Sequence, residues 1–261
     1  MLASGPAEQI PYFISDLLIL PEGVSVAIEM RSATEEFCDN LVKEACADER
    51  AMTRHPFVQT IVSGTATIPQ IVEWGLGQYR LVADAQRWTA LGFAQLESQS
   101  ERAAMLPSFI EEETGMYTET SSHAELVVDF LEALGQPRDK TYEASRHLRR
   151  RMQHFCDYTE YLGRCKPYWV YRGVVSLAGE AQFSETCKLV IAGLQEHYDV
   201  PESGLTFWRI HISLDDDHTS NAVQLVKGQL DSEANRDLLA AHVSTYMDVR
   251  YQAWLEPMLE N

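Results

Sequence analysis

This sequence has no long hydrophobic run, no paired-cysteine spacing and little positive charge, and each shortage removes a class of function. No stretch approaches the roughly 20 apolar residues that a membrane-spanning helix needs. The N-terminus carries no Lys or Arg ahead of its apolar stretch, and Leu17-Leu-Ile-Leu-Pro21 is short and stopped by Pro21, so a signal peptide is not expected. The five cysteines, Cys38, Cys46, Cys156, Cys165 and Cys187, are odd in number and never spaced as Cys-x-x-Cys. They suit neither a disulfide framework nor a zinc knuckle and read as free thiols of a cytoplasmic protein. Lys and Arg number 21 against 39 Asp and Glu, a formal charge of -18. That balance argues against nucleic acid and anionic membrane as partners, because both need a basic footprint. Strand signals are scarce as well: Val24-Ser-Val-Ala-Ile28 alternates weakly and little else does.

What the chain has in quantity is helical patterning. Residues 1–32 hold Gly5, Pro6, Pro11, Pro21 and Gly23 without clear periodicity, and are expected to form an N-terminal arm. Residues 33–261 are expected to form one all-α domain, since no fixed-period repeat or low-complexity linker interrupts them. Helices are expected at about 34–47, 56–63, 68–97, 101–114, 121–134, 139–162, 167–181, 183–198, 205–228 and 231–258. Gly64, Pro107, Gly115, Gly135-Gln-Pro137, Pro167 and Pro201 punctuate them.

The octapeptide His211-Ile-Ser-Leu-Asp215-Asp-Asp-His218 is the most informative run. With spacings of four and three, His211, Asp215 and His218 project from an α-helix within a sector of roughly 60°. Phe207, Leu214, Ala222 and Leu225 share that stripe, so it is expected to face the core. Two imidazoles and a carboxylate buried there must be hydrogen-bonded or bind a metal. An internal His–Asp pair, or a stripe that faces solvent, is the plain alternative.

Three further features bear on that choice. Glu180 is the only charge between Arg172 and Glu185, set among small and apolar residues, and needs a cation, a donor cluster or a raised pKa. Phe109-Ile-Glu-Glu-Glu-Thr-Gly115 puts three acids in the last turn of a helix, the wrong end of its dipole. A bound cation would resolve that conflict for one of them. His123 opens the next helix behind Ser121-Ser122, where a capping role is the ordinary reading. No Glu-x-x-His occurs, which disfavours a ferritin-type bundle. An oxygen and nitrogen donor set without thiolate suits iron or manganese.

The order of motifs resembles a known superfamily. His55-Pro-Phe-Val-Gln, Gln78-Tyr79, the Glu-rich turn ending at Gly115, His123-Ala-Glu-Leu, Phe130-Leu-Glu-Ala-Leu-Gly135, Gly179-Glu180-Ala-Gln, Gly193-Leu-Gln-Glu-His-Tyr198 and His211-x3-Asp215-x2-His218 follow one another over roughly residues 50 to 250. This series is similar to the heme-oxygenase-like proteins that include thiaminase II and pyrroloquinoline-quinone synthase, and more narrowly to their diiron oxidase branch. The resemblance implies a heme-oxygenase-like helical bundle holding two Fe(II) ions, with O2 as co-substrate. It implies one iron bound by Glu113, His123 and His211 and a second by Glu180, Asp215 and His218. Glu112 and Glu119 are the alternatives at the first position. It further implies oxidation of a small amine, amino acid or carboxylic acid in secondary metabolism, by a homodimer.

Tyr79, Arg80 and Trp169 are candidate pocket residues, although ordinary helix packing explains each equally well. Two other functions stand against the oxygenase. One is a metal-free, thiaminase-like enzyme with Cys156 or Cys165 as nucleophile, which would leave the His and acid positions unexplained. The other is a non-enzymatic helical binding protein in which the polar stripe is internally hydrogen-bonded.

Overall fold

Local capping fixes where several helices begin. Helix α1 (Ala33–Ala47) carries Glu35 and Glu36 in its first turn, where acids meet the positive end of the dipole. Helix α2 (Pro56–Val62) starts from His55, whose Nδ1 accepts the Phe57 amide at 3.1 Å. Pro56 presets its first turn. Helix α3 (Ile68–Phe93) opens with a reciprocal pair, in which Thr67 caps the Gln70 amide and Gln70 caps the Thr67 amide. Ser98 caps α4 (Gln99–Thr114) and Ser122 caps α5 (His123–Ala133).

The chain continues through α6 (Arg138–Ser145), α7 (Arg150–Cys165) and α8 (Tyr168–Val175). A single π turn, Ser176–Glu180, joins α8 to α9 (Ala181–His197). Residues 202–212 form α10, and α11 (Glu233–Leu255) closes the fold. This computed structural model describes residues 33–212, 226 and 228–259, all within the unit Ser32–Asn261. No strand occurs among the described residues, as the sparse alternation predicts. None of their helices is long and apolar enough to cross a membrane.

Two expected helices are divided. The stretch 139–162 breaks at residues 146–149 although it holds neither Gly nor Pro. Distant partners cause the break. The Glu256 carboxylate accepts the Arg151 and Met152 amides at 3.0 and 2.8 Å, capping α7 from the far end of the chain. Arg146, at the end of α6, turns to Asp84 on α3 with contacts of 2.9 and 3.0 Å. The stretch 167–181 changes from α to π at Ser176, and such one-turn insertions concentrate at functional sites.

α3 packs on α5 and α7, α11 on α7 and α8, and α2 on α9. Gly193 permits the last of these contacts, because a Cβ there would lie 2.5 Å from the Ile61 carbonyl oxygen. At the centre Trp74 stacks on Trp208 at 5.0 Å and meets Trp254 edge-on at 5.4 Å. Phe130 closes on Trp208 at 5.3 Å.

His55 ties α2 to α11 and gives the fold a dependence on pH. Its Nε2–H donates to the Tyr251 carbonyl at 3.0 Å while Nδ1 accepts, so the buried ring is neutral. Burial lowers its pKa to about 4, against the Tyr251 carbonyl and with help from the Arg250 charge. An unfolded histidine titrates near 6.5, so between roughly pH 6.5 and 4 the unfolded chain binds the extra proton and folding weakens as pH falls. His55→Asn keeps a capping oxygen and removes this titration. Denaturant unfolding of the two proteins is expected to show the wild type losing on the order of 3 kcal/mol more than the variant across that window. Parallel losses would show that His55 is not the group responsible.

Candidate metal centre

The turn between α4 and α5 brings two acids against a buried imidazole. Gly115 ends α4 with φ 63°, a left-handed value that suits glycine, and its amide caps the Glu111 carbonyl at 2.7 Å. A Cβ at Gly115 would lie 2.3 Å from the Ser121 carbonyl oxygen, so the turn closes tightly over its own return. Inside it, the buried Glu111 carboxylate accepts the Tyr117 amide at 2.7 Å, the Thr118 amide at 3.3 Å and the Thr118 hydroxyl at 2.5 Å. Burial alone would raise the Glu111 pKa, but the Thr118 hydroxyl and the Tyr117 amide outweigh it, so the group stays ionised. The acid at the wrong end of the dipole is thus stabilised by donors from the turn itself.

Glu111 also orients His123, whose Nε2 lies 3.4 Å from Glu111 Oε1. The ring is fully buried, and its Nδ1 sits 2.9 Å from Glu112 Oε2 but out of hydrogen-bond alignment. Burial works to lower the His123 pKa, and the Glu112 and Glu111 carboxylates together raise it. His211, on α10, approaches from the other side with ring centroids 4.9 Å apart. Its Nδ1–H donates to the Phe207 carbonyl at 2.7 Å, which leaves the ring's lone pair on Nε2. Phe207 and Phe183 wall that ring at 4.5 and 5.3 Å.

One ligand atom from each of Glu112, His123 and His211 lies within 4.8 Å of the others. A carboxylate and two imidazoles, each imidazole held through its other nitrogen by a protein acceptor, fit a first-row metal such as iron. The misaligned Nδ1 and Oε2 of His123 and Glu112 converge as two donors to one cation would.

Of the residues singled out from sequence, His123 and His211 are in this group, with Glu112 as the acid. Glu113 is exposed and outside it, and Glu119 is exposed with φ 54°. Neighbouring positions on a helix differ by 100°, so only the face that α4 turns inward chooses between Glu112 and Glu113. Glu180 is paired with Arg172 through contacts of 3.1 and 3.4 Å and accepts the Ser176 hydroxyl. Asp215 and His218 lie outside the described residues.

Glu112, Glu180 and His211 line a common cavity of about 460 Å³, within the ~300–1,000 Å³ range of small-molecule sites. Its walls include Leu81, Val82, Trp88, Met105, Phe155 and Phe183. Tyr79, Arg80 and Trp169 do not line it. Their neighbours Gln78 and Tyr168 do, while Arg80 pairs with Asp84 on its own helix at 2.5 Å. Two residues carried no sequence signal for their roles. Glu111 looked like one of three equivalent acids, and the Phe207 carbonyl is a backbone group.

Residues 73–251 match a family described as iron-containing redox enzymes. The match spans 179 of the 261 residues, and the chain belongs to that family. Among solved structures, it is similar to a TenA homologue from Pseudomonas syringae pv. tomato DC3000, with 12% identity, TM-score 0.70 and coverage of 87% of this chain and 93% of that one. It is also similar to a domain of unknown function with a heme-oxygenase-like fold from Shewanella denitrificans OS217, with 12% identity, TM-score 0.65 and 86% and 90% coverage. A CADD-like protein of unknown function from Nostoc punctiforme PCC 73102 gives 17% identity, TM-score 0.66 and 86% and 96% coverage. These likenesses establish the heme-oxygenase-like fold. No curated protein matches the chain.

Proposed function

We propose that this protein is a non-heme diiron oxygenase that uses dioxygen to oxidise a small organic substrate. The observation that carries the reading is the Glu112–His123–His211 group, with both imidazoles buried, opening on a largely apolar cavity in a member of an iron-containing redox family. Those three residues would hold one iron. Glu180 faces the same cavity and would help hold a second, with Asp215 and His218 completing it by the spacing of their sequence. Bound iron would supply the electrons and open coordination positions that activate dioxygen.

The chain's own residues supply the rest. Glu111 keeps the His123 proton on Nε2, and the Phe207 carbonyl keeps the His211 proton on Nδ1, so both rings turn a lone pair toward the site. Apolar side chains exclude water from the space where a substrate would lie. Arg172 and Ser176 hold the Glu180 carboxylate in place through an ion pair and a hydrogen bond.

A thiaminase-like reading would need an accessible, activated thiol near the cavity. Cys156 is buried with its pKa pushed up to about 12 by burial, and neither it nor Cys165 lines the cavity.

Anaerobic Fe(II) titration followed by oxygen electrode measurement tests the proposal. The expected result is saturation at two Fe(II) per chain and consumption of oxygen by the loaded protein. Saturation at one iron would overturn the diiron assignment, and absence of uptake would overturn the oxygenase reading as a whole.

A further inference from the structure

Arg250 presents a buried charge that the metal centre does not use. It projects from α11, is 1% exposed, and lines the cavity shared with Glu112, Glu180 and His211. Its Nη1 donates to the Ala178 carbonyl at 2.5 Å and its Nη2 to the Arg50 carbonyl at 3.4 Å. Rings of Tyr246 and Trp254 stand 5.8 and 6.0 Å from the guanidinium carbon, the outer limit of a useful cation–π contact. No carboxylate among the described residues pairs with it. Burial lowers its pKa to about 10, so it remains cationic at neutral pH. A guanidinium has five N–H donors, and two backbone carbonyls leave both its charge and most of those donors without an anionic counterpart.

The other charges on this cavity are differently placed. Glu180 is paired with Arg172, Glu112 lies against His123, and Glu101 is exposed. Arg250 therefore stands as the cation without an acidic partner among the described lining residues. Near it in sequence and on the same lining, Trp254 Nε1 is buried without a hydrogen-bond partner among the described residues, and so is Gln78 Nε2. Gln78 is 6% and Trp254 1% exposed, so water does not satisfy them from the surface. Three donor-bearing side chains, Arg250, Gln78 and Trp254, and one unpartnered acceptor, Gln86 Oε1, thus line a cavity whose other walls are largely hydrocarbon.

The position along the cavity is informative too. The Ala178 carbonyl that holds Arg250 belongs to the same π turn as Glu180, so the acceptor that anchors the cation and the candidate metal ligand are two residues apart on one element. A ligand head group at Arg250 is thereby kept within a small molecule's length of the metal centre.

We infer that the cavity binds a monocarboxylate with an apolar body, whose carboxylate is received by Arg250 with Gln78 and Trp254 as neutral donors. This rests on the proposed oxygenase for the fate of the ligand, and narrows its substrate from amines and acids to carboxylate-bearing molecules. A simple cationic amine is disfavoured by the uncompensated guanidinium.

Calorimetric titration of the full chain, held metal-free by chelator, tests the inference with octanoate, octanamide and octylamine as probes. The three share chain length and differ in head-group charge. Octanoate is expected to bind at least about tenfold more tightly than octanamide, the margin of a charge-assisted over a neutral hydrogen bond, and octylamine more weakly than either. Arg250→Met is expected to bring octanoate down to the octanamide level while leaving octanamide within about twofold. Equal binding of acid and amide, preference for the amine, binding of none of the three, or a variant that keeps the acid preference would each overturn the assignment. If Arg250→Met does not fold, the wild-type comparison still decides. Because iron is absent throughout, a failure here is distinct from a failure of the iron titration.

Discussion

Replacing His211 with Ala is expected to abolish tight Fe(II) binding at the Glu112–His123–His211 group while the helical circular dichroism stays that of the wild type. His211 supplies one of the three donors, and no neighbouring side chain in the group can replace an imidazole on α10. Glu111→Gln should give a graded loss, on the order of 10–100-fold in affinity, because it weakens the acceptor that orients His123 without removing a ligand. Glu113→Ala should leave the titration unchanged, since that side chain is exposed and outside the group. The reverse pattern, with Glu113→Ala destroying uptake and Glu112→Ala harmless, would mean that α4 turns its other face inward when metal is present.

The second large effect is expected at Trp208. Its ring is fully buried between Trp74 at 5.0 Å, Phe130 at 5.3 Å and Phe207 at 5.0 Å. Truncation to Ala is expected to cost ~3–5 kcal/mol in denaturant unfolding, from lost transfer energy and the cavity left behind. Its indole N–H has no partner among the described residues, so no hydrogen bond is lost and Trp208→Phe should cost clearly less. Trp208 also fixes the turn of α10 that carries the Phe207 carbonyl to His211 Nδ1, so the Ala variant should bind iron more weakly as well. A cost below ~1 kcal/mol would show that neighbouring rings collapse to fill the space.

The all-α fold and most helix ends were readable because they are local. Thr67 with Gln70, Ser98, Ser122 and Gly115 act within a few residues of their own backbone. The break before α7 was unreadable for the opposite reason: its cap, Glu256, lies more than 100 residues away. The site divides in the same way. His211 could be singled out because an imidazole spaced with an acid on an apolar face requires a partner, whereas His123, read alone as a capping residue, entered only through the family resemblance. Choosing Glu112 over Glu113 needs the rotation of α4 about its axis, which the chain's pattern of acids does not contain. Glu180 reads as an acid needing a cation, a donor cluster or a raised pKa, and Arg172, eight residues earlier, reaches it across the widened turn between them.

That widened turn holds more of the cavity in place than its five residues suggest. A π turn amounts to one residue inserted into an otherwise continuous helix. Rewinding the turn Ser176–Glu180 as ordinary α-helix, with no residue removed, would swing everything beyond it by about 100°. Arg172 and Glu180 would leave one another's reach, and the Ala178 carbonyl would be drawn back into the helical ladder, away from Arg250. The charge arrangement on both sides of the cavity therefore depends on the backbone keeping this one turn wide.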